Sequence, residues 1–499
     1  MRNWRPAAAV MLLVVIFVAS FATYEVFLAG SPATCQTAGG GGSRGQAGEN
    51  RFGAVTEYTL PGPDRWPNAI AAAPDGSVWF AEQGVPGVAH LFPGNGTVVE
   101  FAWPGYPSPK PPDCSPSVNV SGIALWDGRV WAADEFGNKT VGINPADGSA
   151  VTVVTTGKAP LPYWLAVGPD GDLWLTSNNF AGQPARLGRI LPNLTLGVVD
   201  LVGLGNDQPI QIDFVNSTFA LLATLDQSVN STTNECTCTG HIYSFDPGSA
   251  GGSITPLMVG GGYTLRLPTS VTYYNGSVWV AEHGASSLVG YDFATRTWTK
   301  YPTSVVPWAP VTLPLVVDSG GGSVWFNEHY ANKIARFDPA AGTLTEYSES
   351  NPPPSGYQGI QNDLSIASTP AGTWFTSMTG NYIGFVNGTM NPGFRISNYD
   401  NSRATLKAGL GGTTFRFVVS GAWTSQMGVK VSDSENPQST PELIQVVPGV
   451  SSIPPGSSFM FGVSVSAEAA VVPGTYTVAV TVSEGGVQQT AYLFITVES

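Results

Sequence analysis

One short motif that recurs seven times between Ile70 and Phe375 limits this chain to very few architectures. In each copy an apolar residue near a proline is followed, eight or nine positions later, by a short apolar run that usually centres on tryptophan. A period of about 40 to 50 residues with several short strands is typical of a β-propeller. The six complete copies are Val78-Trp79-Phe80, Val130-Trp131-Ala132, Leu173-Trp174-Leu175, Val278-Trp279-Val280, Val324-Trp325-Phe326 and Thr373-Trp374-Phe375.

The seventh copy is degenerate. Trp174 and Trp279 lie about two periods apart, and between them residues 216–221 align with residues 275–280, with Ala220 in the tryptophan position. Seven copies predict an all-β, seven-bladed propeller.

Each repeat divides into four strands separated by turns that often contain Asp-Gly pairs. For the sixth repeat the predicted strands are residues 315–318, 323–327, 333–338 and 343–347. Residues 56–60, which precede the first inner strand, read like the outer strand at residues 345–347. We expect this segment to complete the last blade, because closing the ring removes free sheet edges.

The pattern changes after Asn401, where the repeat stops and long alternating strands begin. Pro473-Gly474 and residues 484–486 supply turns between them. This texture predicts an antiparallel immunoglobulin-like β-sandwich over residues 401–499, after a propeller over residues 53–400. No cysteine lies in the segment, so it lacks the disulfide of antibody domains. The alternating apolar positions are Phe459, Phe461, Val463 and Val465, then Tyr476, Val478, Val480 and Val482.

The N-terminus reads as an export signal. Arg2 and Arg5 precede a mostly apolar run over residues 6–24, then Glu25 and a second apolar patch at residues 26–29. About 18 apolar residues can just span a bilayer. Because the Ala-x-Ala cleavage pattern is not clean, we favour an uncleaved signal-anchor helix over residues 1–30, with the body outside the cell. A cleaved signal peptide, which would release the body, is the alternative. Residues 31–52 are expected to form a flexible Gly-rich linker.

Composition supports an exported protein. Only 11% of the 499 residues are charged, against about 25% in an average soluble protein. The net charge of −14, with no basic stripe, makes nucleic acid a poor partner. Asn-x-Ser/Thr sequons predict a glycosylated surface, unless they arise by chance in Asn-, Ser- and Thr-rich turns. The sequons are at Asn95, Asn119, Asn138, Asn193, Asn216, Asn230, Asn275 and Asn387.

The cysteines allow two interpretations. In an exported chain a disulfide is the default, and pairing within Cys-x-Cys is strained, so we predict a bond from Cys114 to Cys236 or Cys238. Alternatively, Cys236, Cys238 and His241 bind a soft metal such as copper or zinc.

The sequence of the repeat resembles the repeats of the streptogramin B lyase (virginiamycin B lyase) family over about residues 53–398. The resemblance is carried by Pro67-Asn68-Ala69-Ile70 with Asp75-Gly76-Ser77-Val78-Trp79-Phe80-Ala81-Glu82, by Trp325-Phe326-Asn327-Glu328, by Asn332-Lys333-Ile334-Ala335-Arg336-Phe337 and by Thr345-Glu346-Tyr347. It implies a propeller and, for the family, elimination that opens a cyclic peptide lactone with Mg²⁺ and histidines in a Pro-His-x-Ile motif. The equivalent positions here hold no histidine, so the family's general base has no counterpart. They are Asn68, Ser121, Tyr163, Ile210, Thr269, Pro314 and Leu364.

Two histidines lie elsewhere in the repeat. Glu282-His283 and Glu328-His329 directly follow the tryptophan motif in the fifth and sixth repeats, at equivalent positions. Such a pair can form a divalent-metal or acid–base site at the pore mouth. Because acids recur here, at Glu82, Asp134, Glu282 and Glu328, they can instead bond backbone groups between blades. His90 aligns with Arg189 and Arg336 and is expected at the rim without a catalytic role.

These observations leave two functional hypotheses. The first is a tethered extracytoplasmic binding protein that takes a surface protein, a glycan or a small molecule. The second is a lyase or hydrolase of the streptogramin B lyase type at the cell surface, dependent on a divalent metal (Mg²⁺, Zn²⁺ or copper).

Overall fold

The computed structural model describes residues 43–499 except 107–117, 178–184, 206, 227–228, 231–234, 237–238, 250–252, 258–263, 305–311, 350–362, 391 and 434–443. The described residues form strands and one short 3₁₀ helix, His283–Ala285. The predicted anchor at residues 1–30 lies outside them, and no helix within them is long and apolar enough to cross a bilayer.

The chain enters through three strands and then forms sheets of four strands that we call blades 1 to 7. The entry strands are β1 (Ser43–Gln46), β2 (Gly48–Phe52) and β3 (Val55–Thr59). Blade 1 contains β4 (Pro67–Ala72), β5 (Val78–Glu82), β6 (Gly87–Phe92) and β7 (Thr97–Ala102). Blade 2 contains β8 (Val120–Trp126), β9 (Arg129–Asp134), β10 (Lys139–Ile143) and β11 (Ala150–Val154). Blade 3 contains β12 (Pro162–Val167), β13 (Leu173–Ser177), β14 (Arg186–Ile190) and β15 (Leu196–Asp200).

Blade 4 carries an additional small hairpin between its second and third blade strands. It contains β16 (Gln208–Asn216), β17 (Phe219–Leu225), the hairpin β18 (Val229–Asn230) and β19 (Glu235–Cys236), then β20 (Ile242–Phe245) and β21 (Ile254–Pro256). Blade 5 contains β22 (Pro268–Tyr274), β23 (Ser277–Glu282), β24 (Ser287–Asp292) and β25 (Thr297–Pro302). Blade 6 contains β26 (Pro314–Gly320), β27 (Ser323–Glu328), β28 (Lys333–Asp338) and β29 (Thr343–Ser348). Blade 7 contains β30 (Asp363–Thr369), β31 (Gly372–Ser377) and β32 (Tyr382–Asn387), with β3 as its fourth strand.

The seven blades close into a ring. Neighbouring inner strands contact one another in chain order, and the last of them, β30, contacts the first, β4. The outer strand β3 pairs antiparallel with β32, from Val55 opposite Val386 to Thr59 opposite Tyr382. The prediction that the N-terminal strand completes the last blade is therefore confirmed.

Each second strand is buried on both sides, because it lies within its sheet and between neighbouring blades. In β27 the side chains of Val324, Trp325 and Phe326 are all buried, so the strand reads as a continuous apolar run. In blade 4, Ala220 occupies the tryptophan position and lies opposite Phe245 of the third strand. Phe245 packs with Trp174 of blade 3.

Three adjacent blades carry a fifth strand at the rim. β1 pairs with β7 of blade 1, and β2 pairs with β3 of blade 7. Residues 43–52 were expected to belong to a flexible linker and instead form these two strands. Their side chains are mostly exposed, so the pairing depends on backbone groups at open sheet edges, which residue patterns do not reveal.

The C-terminal unit supplies the third extra strand. Its strands are β33 (Phe394–Asn398), β34 (Arg403–Lys407), β35 (Gly412–Trp423), β36 (Met427–Asp433), β37 (Ile444–Pro448), β38 (Ser452–Ile453), β39 (Gly456–Ala467), β40 (Gly474–Glu484) and β41 (Val487–Glu498). One sheet runs β33-β35-β39-β37, and the other contains β34, β41, β40, β36 and β38. Residues from both sheets, such as Phe461 and Leu493, share one core. β41 also pairs with β29, so this second sheet continues into blade 6.

Candidate functional site

The two faces of the ring differ in their connections. Inner strands begin and second strands end on one face, which we call the entry face; Pro314 opposite Glu328 marks it in blade 6. The turns between strands one and two, and between three and four, lie on the opposite face, which we call the hairpin face. All seven inner strands have an irregular register where they begin on the entry face. Such bulges re-aim side chains and are frequent next to functional sites.

His283 and His329 meet on the entry face. Each directly follows the end of a second strand, in blades 5 and 6, and their ring centroids are 5.1 Å apart. Both side chains are buried, with 1% and 8% of the residue surface exposed. The Nδ1 atom of His283 lies 3.2 Å from the carbonyl oxygen of Pro314. Since a carbonyl only accepts, Nδ1 carries the proton in that contact. Neither ring nitrogen of His329 has a hydrogen-bond partner in the described part of the chain.

Burial keeps both imidazoles neutral. It lowers the pKa of His283 to about 4. The pKa of His329 is well below its ordinary value because of burial and the neighbouring His283. Neutral imidazole is the form that binds metals, but a general base is most effective when its pKa is near the working pH. Among the described residues no group of three or more His, Cys, Asp or Glu side chains is arranged to hold a metal ion.

The two glutamates beside these histidines have different surroundings. Glu282 accepts hydrogen bonds from the Arg266 backbone N–H at 3.0 Å and from the Ser287 hydroxyl at 2.7 Å. The bond to Arg266 fits the alternative interpretation, in which the recurring acidic residues bond to backbone groups. Glu328 is fully buried and lies 3.8 Å from the Lys333 ammonium. Burial and nearby Glu346 raise the pKa of Glu328 well above its ordinary value.

Lys333 anchors a buried polar cluster that the sequence did not single out as a site. Its ammonium donates to Glu346 at 3.0 Å, to the Ser304 backbone oxygen at 2.6 Å and to Gln488 at 3.0 Å. Lys333 and Glu346 belong to motifs of the repeat, and this was the sequence signal that could have identified the cluster. Gln488 lies in β41 of the C-terminal unit, and no repeat position pointed to it.

A second buried cluster, also missed from the sequence, joins blades 6 and 7. Glu349, Asp363 and Tyr382 are each at most 3% exposed, and the Tyr382 hydroxyl donates to Glu349. Burial raises the pKa of Glu349 to about 7. Burial and nearby Glu349 raise the pKa of Asp363 well above its ordinary value. Two carboxyl groups that face each other in this way hold a proton at neutral pH.

The predicted cysteine site is only partly described. Cys114 and Cys238 lie outside the described residues, and Cys236 pairs with Val229 in the small hairpin of blade 4. His241 bonds through Nδ1 to Asp207 at 2.8 Å, with about half of its side chain exposed. That bond raises the pKa of His241. The disulfide and the soft-metal site stay predictions.

His90, which was expected at the rim, is half-buried in the third strand of blade 1. It pairs with Trp79, just as Arg189 pairs with Trp174 and Arg336 with Trp325, so the sequence alignment of the three is confirmed. The His90 ring stacks on the Trp79 ring with centroids 3.9 Å apart, and Nε2 lies 2.6 Å from the Ser77 hydroxyl. Both contacts support the blade from within.

The positions that hold histidine in the lyase motif lie at the inner-strand bulges. At two of these positions a bond joins neighbouring blades. The Thr269 hydroxyl donates to the Leu315 backbone oxygen of the next blade at 2.6 Å. The Asn68 backbone oxygen accepts from the Thr376 hydroxyl at 2.7 Å, across the closure of the ring.

Comparisons with known proteins identify the fold. No family model matches the chain, and no curated protein matches it in sequence. It is similar to the crystal structure of virginiamycin B lyase from Staphylococcus aureus, with 21% identity over 67% of this chain and 98% of that one, and a TM-score of 0.51. It is also similar to a catalytically inactive variant of that lyase with quinupristin, at 19% identity, 67% and 98% coverage, and a TM-score of 0.51. These similarities establish a β-propeller fold.

Proposed function

We propose that this chain is an exported, membrane-tethered binding protein whose propeller presents the entry face to a ligand outside the cell. The observation that carries the proposal is the set of inner-strand positions. Where the lyases have reactive histidines, this chain has none, and Thr269 is bonded to Leu315 of the next blade. The ring is reinforced at the place where the lyase motif supplies a base.

The neutral histidine pair supports the same conclusion. With a pKa of about 4, His283 takes up a proton only weakly at neutral pH, which disfavours general-base catalysis. A rigid closed ring with short loops on one face suits a binding platform. The ligand class is a surface protein, a glycan or a small molecule. The C-terminal unit, predicted to be immunoglobulin-like, serves as a spacer or docking module.

The location is tested by fractionation of cells that express the full chain. We expect the body to sediment with membranes and to be digested by protease added to intact cells. A variant that lacks residues 1–30 is the matched control and should not sediment with membranes. A body released by the full-length chain, with its N-terminus near Ser31, indicates a cleaved signal, and a body protected from protease overturns the proposal.

A metal-dependent lyase of the streptogramin B type is the alternative function. It is favoured by the 5.1 Å approach of the two histidine rings and by the unpartnered nitrogens of His329 within the described residues. Elemental analysis for magnesium, zinc and copper, combined with an assay of quinupristin ring opening, tests it. Our proposal predicts no opening above background with or without Mg²⁺. Opening that disappears in a His283→Ala, His329→Ala double variant would establish the enzyme instead.

A further inference from the structure

The sequons divide unequally between the two faces of the ring. Three of them occupy turns between strands one and two or between strands three and four, Asn216 ends the first strand of blade 4 and Asn387 ends the third strand of blade 7, which places all five on the hairpin face. The other three, Asn119, Asn138 and Asn230, lie on connections of the entry face. The five on the hairpin face are Asn95, Asn193, Asn216, Asn275 and Asn387.

On the hairpin face the asparagine side chains are held with the amide nitrogen available. The Oδ1 atom of Asn193 accepts from the Thr195 backbone N–H at 3.0 Å, two residues further along. The same bond forms at the sequons that begin at residues 95, 216 and 387, at 3.0, 2.9 and 3.0 Å. Since Oδ1 is the bonded atom, Nδ2, to which a glycan attaches, makes no hydrogen bond in the described part of the chain.

The fifth hairpin-face sequon has a different turn with the same outcome. Asn275 and Gly276 form the two-residue link between Tyr274 and Ser277, and both have a positive φ, 51° and 80°. Asparagine and glycine tolerate this left-handed conformation well. The turn is exposed, so a sugar at this position meets solvent.

On the entry face the two sequons whose side chains are described differ from these: Asn119 uses both polar atoms of its amide, and the hydroxyl residue of the Asn138 sequon is buried. Asn119 donates through Nδ2 to Glu135 at 2.5 Å and accepts through Oδ1 from Gln83 at 2.8 Å. This chain of bonds joins blades 1 and 2. Asn138 is half-buried, and its Oδ1 accepts from the Leu161 backbone N–H at 2.9 Å. The hydroxyl residue of its sequon, Thr140, is fully buried in β10.

We infer that the folded protein carries N-glycans at the five hairpin-face sequons and none at Asn119 or Asn138, so that the entry face between blades 1 and 2 stays free of sugar. A glycan on Asn119 would displace the Gln83–Asn119–Glu135 bonds, so chains that carry one fold poorly and are lost from the folded pool. The glycans cover the hairpin face of the disc and leave the part of the entry face around Asn119 and Asn138 to a ligand. The inference rests on the proposed export of the chain and is independent of ligand binding.

Glycan mapping of the full chain, placed behind a yeast secretion signal, tests the inference. Asn230→Gln is included in every variant, because its side chain lies outside the described part. We expect glycopeptides at the five hairpin-face sites and none at Asn119 or Asn138 in the folded, secreted protein. Removing the five hydroxyl residues with Thr97→Ala, Thr195→Ala, Thr218→Ala, Ser277→Ala and Thr389→Ala should abolish the whole gel shift.

The matched control removes the two entry-face sequons without changing an asparagine, by Ser121→Ala and Thr140→Ala. Its gel shift should equal that of the parent chain. A glycan on Asn119 or Asn138 in folded protein overturns the inference, and so do hairpin-face sites that remain empty. If the five-site variant is not secreted, the inference is tested by glycopeptide mapping of the secreted parent chain.

Discussion

Gln488 of the C-terminal unit accepts a hydrogen bond at 3.0 Å from the ammonium of Lys333 inside blade 6. The strands that carry these two residues belong to one continuous sheet, in which Tyr347 of β29 lies opposite Val487 of β41. Tyr492 of the same strand is buried and donates to the Pro302 backbone oxygen of blade 5 at 2.9 Å. The C-terminal unit is therefore built onto the propeller as a fifth blade strand, and the two share stability.

A Gln488→Ala substitution should destabilise the protein. It removes an acceptor from a buried ammonium, and hydrogen bonds to charged groups contribute about 1.5–3 kcal/mol. Gln445→Ala is the matched control, because the side chain of Gln445 donates to Glu468 on an exposed surface. Urea unfolding of both variants should show a loss for Gln488→Ala alone. Equal losses would mean that the Lys333 cluster adds nothing to the junction.

Deletion of residues 403–499 should damage the propeller more than deletion of residues 43–52. The first deletion uncovers the edge of β29 and leaves the buried Lys333 without Gln488. The second removes β1 and β2, whose side chains are mostly exposed. Open edges also promote aggregation. Thermal melts of the two truncated proteins check this, and a larger drop in Tm for the shorter deletion would contradict the shared-sheet account.

The Glu349–Asp363 pair predicts stability that falls as pH rises. Burial raises the folded-state pKa of Glu349 to about 7, so the folded protein retains a proton that the unfolded chain releases near pH 4.5. The stability linked to this proton is present below about pH 4.5 and is lost as pH rises through about 7, with about 1.4 kcal/mol per unit of pKa shift. Glu349→Gln should flatten urea-unfolding stability between pH 5 and 8. An unchanged slope would show that the pair does not titrate on unfolding.

The histidine pair predicts a loss of stability in the opposite direction. His283 has a folded-state pKa of about 4, below its unfolded value, so its contribution is present above about pH 6.5 and is lost as pH falls through about 4. The loss for His283 is on the order of 3 kcal/mol. A His283→Gln, His329→Gln variant should lose less stability between pH 6.5 and 4 than the parent, as measured by urea unfolding. His241→Gln provides the contrast, because the bond to Asp207 raises the pKa of His241 and its contribution to stability therefore has the opposite pH dependence.

The blade architecture was predictable from the sequence because its signal repeats. The third strand of blade 6 was predicted at residues 333–338 and is Lys333–Asp338, since an apolar pattern repeated seven times averages out local ambiguity. The attachment of the C-terminal unit was not predictable, because the pairing of β29 with β41 does not repeat along the chain and is made by backbone groups, which carry no residue pattern. The same reason hid the Glu349–Asp363 pair, whose members are joined only when blade 7 packs against blade 6. His283 and His329 were identified as neighbours by their equivalent positions, but their burial depends on contacts that periodicity does not describe.

The last prediction concerns the degenerate blade 4. Ala220→Trp would restore the motif, yet it should destabilise the protein by about 1–3 kcal/mol, because Ala220 is fully buried opposite Phe245 and overpacking a filled core is costly. In blades 2 and 5 the tryptophan lies opposite glycine, as Trp131 opposite Gly142 and Trp279 opposite Gly290. A Cβ on Gly142 would approach Trp131 to 2.6 Å, which explains the pairing.

The double variant Ala220→Trp, Phe245→Gly recreates that tryptophan–glycine pair. Although Phe245→Gly alone removes packing against Trp174, with which its ring centroid is 6.3 Å apart, the two changes should compensate each other. A double-mutant cycle should therefore give a favourable coupling energy of roughly 0.5–3 kcal/mol, the range typical of residues in contact. Additive losses would show that blade 4 has diverged beyond this one pair, and that Phe245 is not the reason for the missing tryptophan.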